Sequence, residues 1–389
     1  MKFVESVNNN IGRIGVLSEF PKPWSSETFK TPMLYAFTRA GTVPHLTFNT
    51  LKRLEIQNMF VLQTLPTTVE FKDAVGTQGK GLSAFIGLPE YPFHLSVQDP
   101  GTITPHGYNV RNGVSVWCHG GKKMLSVVEY MKIVKEFRPA SYQALCDSDT
   151  PENCSKKRLN KSVDHSLIFL DECLKEHANC EELKNTAIFG TIQGGYDMFF
   201  RKKSARETSL RSVDGFVIDG FHINGPDVQN IDFSKIKPIL QEIVSILPKD
   251  KPRILHGTFG PEAMLEAVKC GIDIFDSSYS FVLTEAGEAS VYPLTIIDEY
   301  YKEETNYFIS KRPKCSSKIC LKEDSYKSDF FPILKSCECY TCLHYTRAYI
   351  HHLLVTSELL AQILLMIHNQ YHLSEFFKLV RNTIKNKKI

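Results

Sequence analysis

Short apolar runs alternate with longer amphipathic segments along the chain from about residue 93 onward. The apolar runs predict β-strands at 93–99, 113–119, 141–147, 186–193, 215–221, 253–257 and 272–278. Apolar residues at helical spacing predict helices at 126–138, 162–177, 196–210, 231–247 and 261–270. Strands that alternate with helices indicate βαβ units and a parallel sheet.

The strand-like runs show little alternation of apolar and polar residues, as expected of strands that are covered on both faces. Several end in polar residues or glycine: Asp147, Gln193-Gly194-Gly195, Asp219-Gly220, His256-Gly257 and Asp276. In a (β/α)8 barrel such ends converge on the face where chemistry is done. A doubly wound sheet is the competing fold, but the chain has neither a Gly-x-Gly-x-x-Gly fingerprint after an early strand nor a Walker-type loop. The pattern therefore predicts an α/β protein with a (β/α)8 TIM barrel.

Three cysteines, Cys337, Cys339 and Cys342, lie close together in the spacing C-x-C-x2-C. Thiolates at this spacing suit a tetrahedral Zn²⁺ ion, and buried reduced cysteines are the alternative. A fourth ligand must come from elsewhere, and our first candidate is His368, at the end of a predicted helix that can fold back. The other candidates are His344, His351, His352, Cys315 and Cys320. Four protein ligands without an open position would make this a single structural zinc ion.

The alternation of strands and helices stops after about residue 290. Residues 300–336 are charged, contain cysteine and show weak periodicity, which is typical of an insertion or a linker. An amphipathic pattern then predicts one long helix over 345–368. We therefore divide the chain into N-terminal strands and a lead-in (1–90), the TIM-barrel core (91–298), and a zinc-binding subdomain with C-terminal helices (299–389).

The composition of the chain sets limits but does not indicate a function. The 389 residues are 42% apolar and 23% charged, which excludes a mainly disordered chain. Lys and Arg number 46 against 43 Asp and Glu, a balance that permits an anionic partner without predicting one. No secretory core is present at the start, and the most apolar stretch, 353–367, is shorter than the ~20 residues of a membrane span. Because the chain shows no signal peptide, we expect its cysteines to be reduced thiols in the cytosol.

The segment around the three cysteines carries a resemblance to a known family. Residues 337–353 read CECYTCLHYTRAYIHHL, followed later by His368, and resemble the zinc-binding end of tRNA-guanine transglycosylases. Upstream, residues 146–151 (CDSDTP) resemble the family's aspartate-containing strand end. Residues 189–195 match its F-G-x-x-Q-G-G element, and residues 271–276 match its G-x-D-x-F-D strand.

The resemblance implies a TIM barrel with a zinc-stapled insertion that exchanges guanine in tRNA for a deazaguanine base, which in eukaryotes is queuine at the wobble position. In such enzymes an aspartate attacks the ribose C1′, releases guanine and leaves a covalent enzyme–RNA intermediate. Asp276 matches this nucleophile. Asp147 matches the aspartate that recognises the purine, assisted by Gln193 and the backbone around Gly194 and Gly195.

Three segments depart from the pattern of the family's catalytic members. Residues 98–102 (QDPGT) replace D-S-G-G-F-Q and retain only Asp99 and one glycine. Residues 219–225 (DGFHING) lack the glutamate of the substrate loop G-G-L-[SA]-V-G-E, and residues 279–285 (YSFVLTE) lack the cations of an RNA-binding loop. The departures imply a non-catalytic, accessory member in which Asp99 and Asp276 are vestigial. We interpret His222 and His256 as satisfied polar residues.

The resemblance also implies partners. We expect a heterodimer with a catalytic member of the family, tRNA bound through that complex, and a cytoplasmic location with peripheral attachment at the mitochondrial outer membrane. Formation of a homodimer without the catalytic partner stays open. Two basic clusters, 156–161 (KKRLNK) and 201–203 (RKK), are candidates for RNA contact, although such clusters are more often solvated faces.

Three other functions remain as alternatives. A self-sufficient transglycosylase would use Asp276 together with Asp99 in one pocket. A tRNA- or queuine-binding protein would act without an enzymatic partner. A metal-dependent barrel hydrolase is disfavoured, because the strand ends lack a His-x-His cluster for a catalytic zinc.

Overall fold

The computed structural model of the chain describes residues 1–54, 59–292, 294 and 317–386. Its strands are β1 (Lys2–Asn9), β2 (Gly12–Ser18), β3 (Phe29–Lys30), β4 (Met33–Phe37), β5 (Phe60–Thr64), β6 (Phe93–Ser96), β7 (Val114–Cys118), β8 (Gly121–Leu125), β9 (Ser141–Gln143), β10 (Ala187–Ile192), β11 (Gly215–Ile218), β12 (Arg253–Leu255), β13 (Ile274–Asp276), β14 (Glu288–Ser290) and β15 (Lys318–Cys320). Its α-helices are α1 (Phe48–Leu51), α2 (Leu65–Thr68), α3 (Lys72–Gln78), α4 (Leu82–Phe85), α5 (Val127–Phe137), α6 (Lys156–Ala178), α7 (Met198–Ser209), α8 (Phe233–Ile246), α9 (Pro261–Lys269), α10 (Ser278–Ala286), α11 (Tyr340–His344), α12 (Arg347–Val355) and α13 (Leu359–Asn386). Short 3-10 helices lie at Lys52–Leu54, Val69–Phe71, Glu181–Leu183, Pro226–Asn230 and Asp324–Tyr326.

Eight of these strands form a closed parallel barrel in the order β4-β5-β6-β9-β10-β11-β12-β13, and β13 pairs back onto β4. Every residue of β10 is buried, as expected of a strand covered by the barrel interior on one face and by helices on the other. The prediction of a TIM barrel is therefore confirmed, and the doubly wound alternative is wrong.

Two barrel strands precede the segment in which the sequence pattern is visible. β4 and β5 lie within residues 1–90, which the sequence analysis described only as N-terminal strands and a lead-in. Their apolar runs are followed by loops and short helices, so the amphipathic periodicity that marks a βα unit is missing there.

The strand predicted at 113–119 exists as β7 but is not part of the barrel. It pairs with β8 as an antiparallel hairpin around the turn at His119–Gly120, and most of β8 is exposed. The hairpin lies between β6 and α5, so it belongs to the carboxyl-end face of the barrel. An apolar run alone does not distinguish a hairpin strand from a barrel strand.

The N-terminal sheet, β1-β2-β3, is fastened to the barrel by a buried ion pair. Arg13 of β2 donates from Nε and Nη2 to the two carboxylate oxygens of Asp273, at 2.8 and 2.5 Å, and both side chains are almost fully buried. Arg13 also donates to the carbonyl oxygens of Lys249 and Lys251. Asp273 directly precedes β13, so the pair lies at the amino ends of the barrel strands.

The single helix predicted over 345–368 is wrong, because the structure contains two helices there. α12 and α13 are separated by residues 356–358, with Ser357 at φ +59°. The hydroxyl of Thr356 donates to the carbonyl oxygen of His352, a local hydrogen bond that competes with continuation of the helix.

The long helix α13 joins the barrel to the C-terminal subdomain, which consists of residues 317–358 and the first half of α13. Its second half packs Phe376, Phe377 and Val380 into the main core. Its first half contributes Leu364 and Leu365 to a second, smaller core that also contains the three cysteines. Neither α13 nor any other helix in the described part of the chain is long and apolar enough to cross a membrane.

Candidate functional site

Three thiols and one imidazole nitrogen converge in the second core. The Sγ atoms of Cys337, Cys339 and Cys342 lie 3.7, 3.5 and 3.3 Å from Nδ1 of His368. All four ligand atoms lie within 4.8 Å of one another, and all four residues are buried. This cluster could hold a metal ion.

Neighbouring groups prepare these side chains for a metal. Nε2 of His368 donates to the carbonyl oxygen of Ser290 at 2.8 Å, which leaves Nδ1 deprotonated and directed at the thiols. Hydrogen bonds from the thiols of Cys337 and Cys339 lower the pKa of Cys342. Cys339 also begins α11, where its Sγ accepts a hydrogen bond from the backbone N–H of Cys342.

The other fourth ligands considered from the sequence are not in the cluster: His344, His351, His352 and Cys320. Nδ1 of His351, for example, lies 2.9 Å from a backbone carbonyl oxygen. Cys315 lies outside the described residues. Within the ranges that the structure describes, no second group of three or more metal-ligating side chains converges in this way.

Polar strand ends meet at the carboxyl end of the barrel. The hydroxyl of Ser148 donates to Oδ2 of Asp219 at 2.6 Å and accepts from Nε2 of Gln193 at 2.7 Å, which links the loops after β9, β10 and β11. After β12 and in β13, Nδ1 of His256 lies 3.1 Å from Oδ2 of Asp276. These contacts place the residues that resemble the family's pocket at one face.

Asp276, which matches the family's nucleophile, is fully buried. Its Oδ1 accepts from the backbone N–H of Ser278 at 2.9 Å, and its Oδ2 accepts from the backbone N–H of Gly257 at 3.0 Å and from His256. A carboxylate nucleophile needs a lone pair directed at an accessible carbon atom. In this structure, donors of the same chain engage both carboxylate oxygens.

Asp99, the other vestigial candidate, is also buried at this face. Its carboxylate accepts from the backbone N–H of Gly101 at 2.9 Å and from the hydroxyl of Thr102 at 3.0 Å, and Nε of Arg39 lies 3.6 Å away. Burial raises the pKa of Asp99, and the positive charge of Arg39 opposes this increase. Local donors therefore hold Asp99 as well.

Asp147, which matches the purine-recognising aspartate, forms an ion pair with Arg158. Nη1 of Arg158 donates to Oδ2 at 2.8 Å, and Nη2 donates to Oδ1. Oδ1 also accepts from the side-chain amide of Asn109 at 2.9 Å, and Nδ1 of His165 lies 3.3 Å from Oδ2. Burial acts to raise the pKa of Asp147, but the hydrogen bonds and charge of Arg158 outweigh it, and the pKa lies below its ordinary value.

The Gly194–Gly195 loop is shaped around a buried arginine. Gly194 and Gly195 have φ of +130° and +57°, and a side chain at Gly194 would meet the backbone of Arg201. Arg201 is fully buried and donates to the carbonyl oxygens of Ile192, Gly195 and Asp219. Burial lowers the pKa of Arg201 to about 9.

The two arginines of the predicted basic clusters are engaged by groups of the same chain. Arg158 is engaged by Asp147, and Arg201 is inside the protein. Lys202 and Lys203 pair with acidic side chains, each at 2.7 Å. RNA contact through either cluster stays a prediction, and a run of basic letters does not reveal which of its members are buried.

His222 and His256 were interpreted as satisfied polar residues. Nδ1 of His222 accepts from the backbone N–H of Asn224, and Nε2 donates to the carbonyl oxygen of His256, both at 3.2 Å. Burial lowers the pKa of His222, as expected of a neutral ring. Nε2 of His256 has no hydrogen-bond partner among the described residues. The interpretation is confirmed for His222 and holds for one nitrogen of His256.

Comparisons with known proteins agree with the resemblance seen in the sequence. The family model described as queuine tRNA-ribosyltransferase matches residues 8–389. A relative from Ixodes scapularis, named queuine tRNA-ribosyltransferase accessory subunit 2, is 42% identical over 97% of this chain and 95% of its own length. Relatives with the same name from Gallus gallus and Homo sapiens are each 35% identical over 97% of this chain and cover 92% and 94% of their own lengths.

The relatives' name implies a catalytic partner, as expected of an accessory member. It matches the main expectation from the sequence and does not favour a self-sufficient enzyme or a binding protein without an enzymatic partner. The match to the family model over almost the entire chain agrees with the barrel and with the cysteine–histidine cluster. This chain belongs to the queuine tRNA-ribosyltransferase family.

Proposed function

We propose that this chain is the non-catalytic subunit of a eukaryotic tRNA-guanine transglycosylase that exchanges guanine for queuine at the wobble position of tRNA anticodons. In this proposal it forms a heterodimer with the catalytic subunit and supports tRNA binding. The names of its relatives support a subunit role. The structural observation that carries the proposal is that donors of the same chain engage the carboxylates of both Asp147 and Asp276.

The metal in the cysteine–histidine cluster is proposed to be one structural Zn²⁺ ion. Tetrahedral geometry with Zn–S and Zn–N bonds of about 2.3 and 2.1 Å places sulfur and nitrogen roughly 3.6 Å apart. The observed separations of 3.3 to 3.7 Å fit this geometry. Three thiolates and one imidazole fill a tetrahedral zinc ion and leave no open position for catalysis.

The C-terminal subdomain also presents the surface that we propose binds the catalytic subunit. Leu343 on α11 is 64% exposed. In the same stretch of the chain, the ring of Tyr345 contacts the rings of Tyr340 and Tyr349. The guanidinium of Arg53, from the 3-10 helix that follows α1, lies over the ring of Tyr340. Aromatic residues and arginine are enriched at the centres of protein interfaces, which supports a binding role for this surface.

The Leu343→Asp variant is expected to weaken the heterodimer at least tenfold, about 1.4 kcal/mol, because it places a charge in an apolar contact. Sedimentation or calorimetry with the catalytic subunit measures the Kd. The Ile168→Asp variant, which changes another exposed apolar residue on α6, is the control and should retain the Kd of the unmodified chain. An equal Kd for all three chains would contradict the proposed surface.

Base exchange tests the proposed function directly. Incorporation of labelled guanine into tRNA is measured with this chain alone, with the catalytic subunit alone and with the mixture, and we expect efficient exchange only in the mixture. Asp276→Asn in this chain should change the rate of the mixture by less than about twofold, because Asp276 performs no chemistry there. Exchange by this chain alone that disappears in Asp276→Asn would identify a self-sufficient enzyme instead.

Location and self-association are further parts of the proposal that rest on the family resemblance. We place the protein in the cytoplasm with peripheral attachment at the mitochondrial outer membrane. Formation of a homodimer by the chain alone stays open, and sedimentation of the isolated chain decides it.

A further inference from the structure

Arg158 is a feature of this chain that an accessory role does not require. It lies in the first turn of α6 and directs its guanidinium at Asp147, in the loop after β9. The Arg158 side chain is 25% exposed, whereas the Asp147 side chain is 2% exposed. The guanidinium therefore covers the carboxylate on the side that faces solvent.

Two further side chains of this pocket, Asn109 and Gln193, also form hydrogen bonds within the chain, although Oε1 of Gln193 has no partner among the described residues. The amide of Asn109 donates to Oδ1 of Asp147, so the carboxylate is held from two directions. Nε2 of Gln193 donates to Ser148 rather than into open space. The Oε1 atom of Gln193 lies where a side chain on Gly220 would otherwise be. An incoming base would have to displace at least one of these contacts.

A guanidinium and the edge of guanine offer a carboxylate the same hydrogen bonds. Guanine presents N1–H and an N–H of its 2-amino group as two parallel donors, and queuine has the same edge. A carboxylate accepts such a pair in the bidentate geometry that it also uses for arginine, and it cannot accept both partners at once. Adenine, by contrast, presents one donor beside one acceptor on the corresponding edge.

We propose that Arg158 occupies the base-recognition site of this chain from within and thereby excludes guanine and queuine. The inference rests on the proposed function, because that assignment places Asp147 at the base-recognition position. Arg158 is attached to the same chain, so its effective concentration at Asp147 is on the order of millimolar or higher. Its hydrogen bonds are also assisted by charge on both partners, whereas those of a neutral base are not.

Equilibrium dialysis of the full-length chain against radiolabelled guanine, queuine and adenine tests this inference. The unmodified chain should bind none of them. Arg158→Ala should bind guanine and queuine at concentrations at which the unmodified chain binds neither, and it should not bind adenine. The Lys157→Ala variant removes an exposed cation from the same turn and should behave like the unmodified chain. The Arg158→Ala/Asp147→Asn double variant should lose the gained binding.

Two results would overturn the inference. The first is that the unmodified chain binds guanine as tightly as Arg158→Ala does. The second is that Arg158→Ala is folded and binds no guanine. Thermal unfolding and heterodimer formation establish that the variant is folded. If it is not, Arg158→Gln retains the aliphatic carbons of the side chain without the charged fork and should bind guanine to an intermediate extent. The exchange assay reports separately on the proposed function, because loss of exchange in the mixture does not depend on base binding by this chain.

Discussion

The Cys342→Ser variant is expected to lose the zinc ion proposed for the cysteine–histidine cluster and, with it, the packing of the C-terminal subdomain. A structural zinc site of this kind contributes about 10 kcal/mol or more to folding, and a serine hydroxyl does not replace a thiolate ligand. The cysteines are part of the second core, where they pack with Leu353 and Leu364. Removal of the metal would leave the remaining thiols without their common partner in the middle of that core.

Two measurements test this prediction. Plasma mass spectrometry gives the metal content per chain, and limited proteolysis gives the protease resistance of residues 317–386. Cys320→Ser is the matched control, because Cys320 lies in the same subdomain but outside the cluster, and this variant should retain one zinc per chain. A Cys342→Ser chain that retains one zinc and the protease resistance of the unmodified protein would show that the site is not the one described. Heterodimer formation should decline together with the zinc content, since the proposed binding surface lies on the same subdomain.

The Asp273→Ala variant is expected to lower the free energy of unfolding by about 3–5 kcal/mol. Removal of the carboxylate leaves the buried guanidinium of Arg13 with only the partly exposed carboxylate of Glu5, 3.3 Å from its Nη1, as a counter-charge. It also removes the acceptor for the backbone N–H of Arg253. The N-terminal sheet is attached to the barrel through this pair, so its strands should become accessible to hydrogen exchange first.

Denaturant unfolding followed by circular dichroism measures the effect, and Asp171→Ala provides the control. Asp171 pairs with Arg211 in a bidentate manner, but the Asp171 side chain is 55% exposed, so its loss should cost about 1 kcal/mol or less. Replacing both Arg13 and Asp273 by apolar residues should destabilise the protein less than Asp273→Ala does, because no unpaired charge is left. Equal effects of Asp273→Ala and Asp171→Ala would contradict the structural role of the buried pair.

The barrel was predictable from the sequence where each strand is followed by a long amphipathic helix. From β9 onward the alternation of apolar runs and helical periodicity is clear, and the strands and helices form close to the predicted positions. β4 and β5 were not recognised as barrel strands, and β7 was not recognised as half of a hairpin. Periodicity reports burial of a segment but not the neighbour that buries it.

The candidate pocket was predictable only in part. The resemblance indicated Asp147, Gln193 and Asp276, and the structure places them at one face of the barrel. It did not reveal that Asn109 and Arg158 hold Asp147, because no fixed spacing links a strand-end carboxylate to such partners. The single local signal for the Asp147–Arg158 pair is a cation in the first turn of the next helix, and such cations are also common on solvated helices.

The sequence by itself determined the barrel class, through the alternation of apolar runs and amphipathic segments, and the cysteine triad, through residue types at short, fixed spacing. Only the tertiary structure decided that His368 completes the triad, that Arg158 covers Asp147 and that Arg13 pairs with Asp273, which is 260 residues away along the chain. The free energy of a charged side chain depends on its burial and on its partner. Both are set by segments that meet only when the barrel closes.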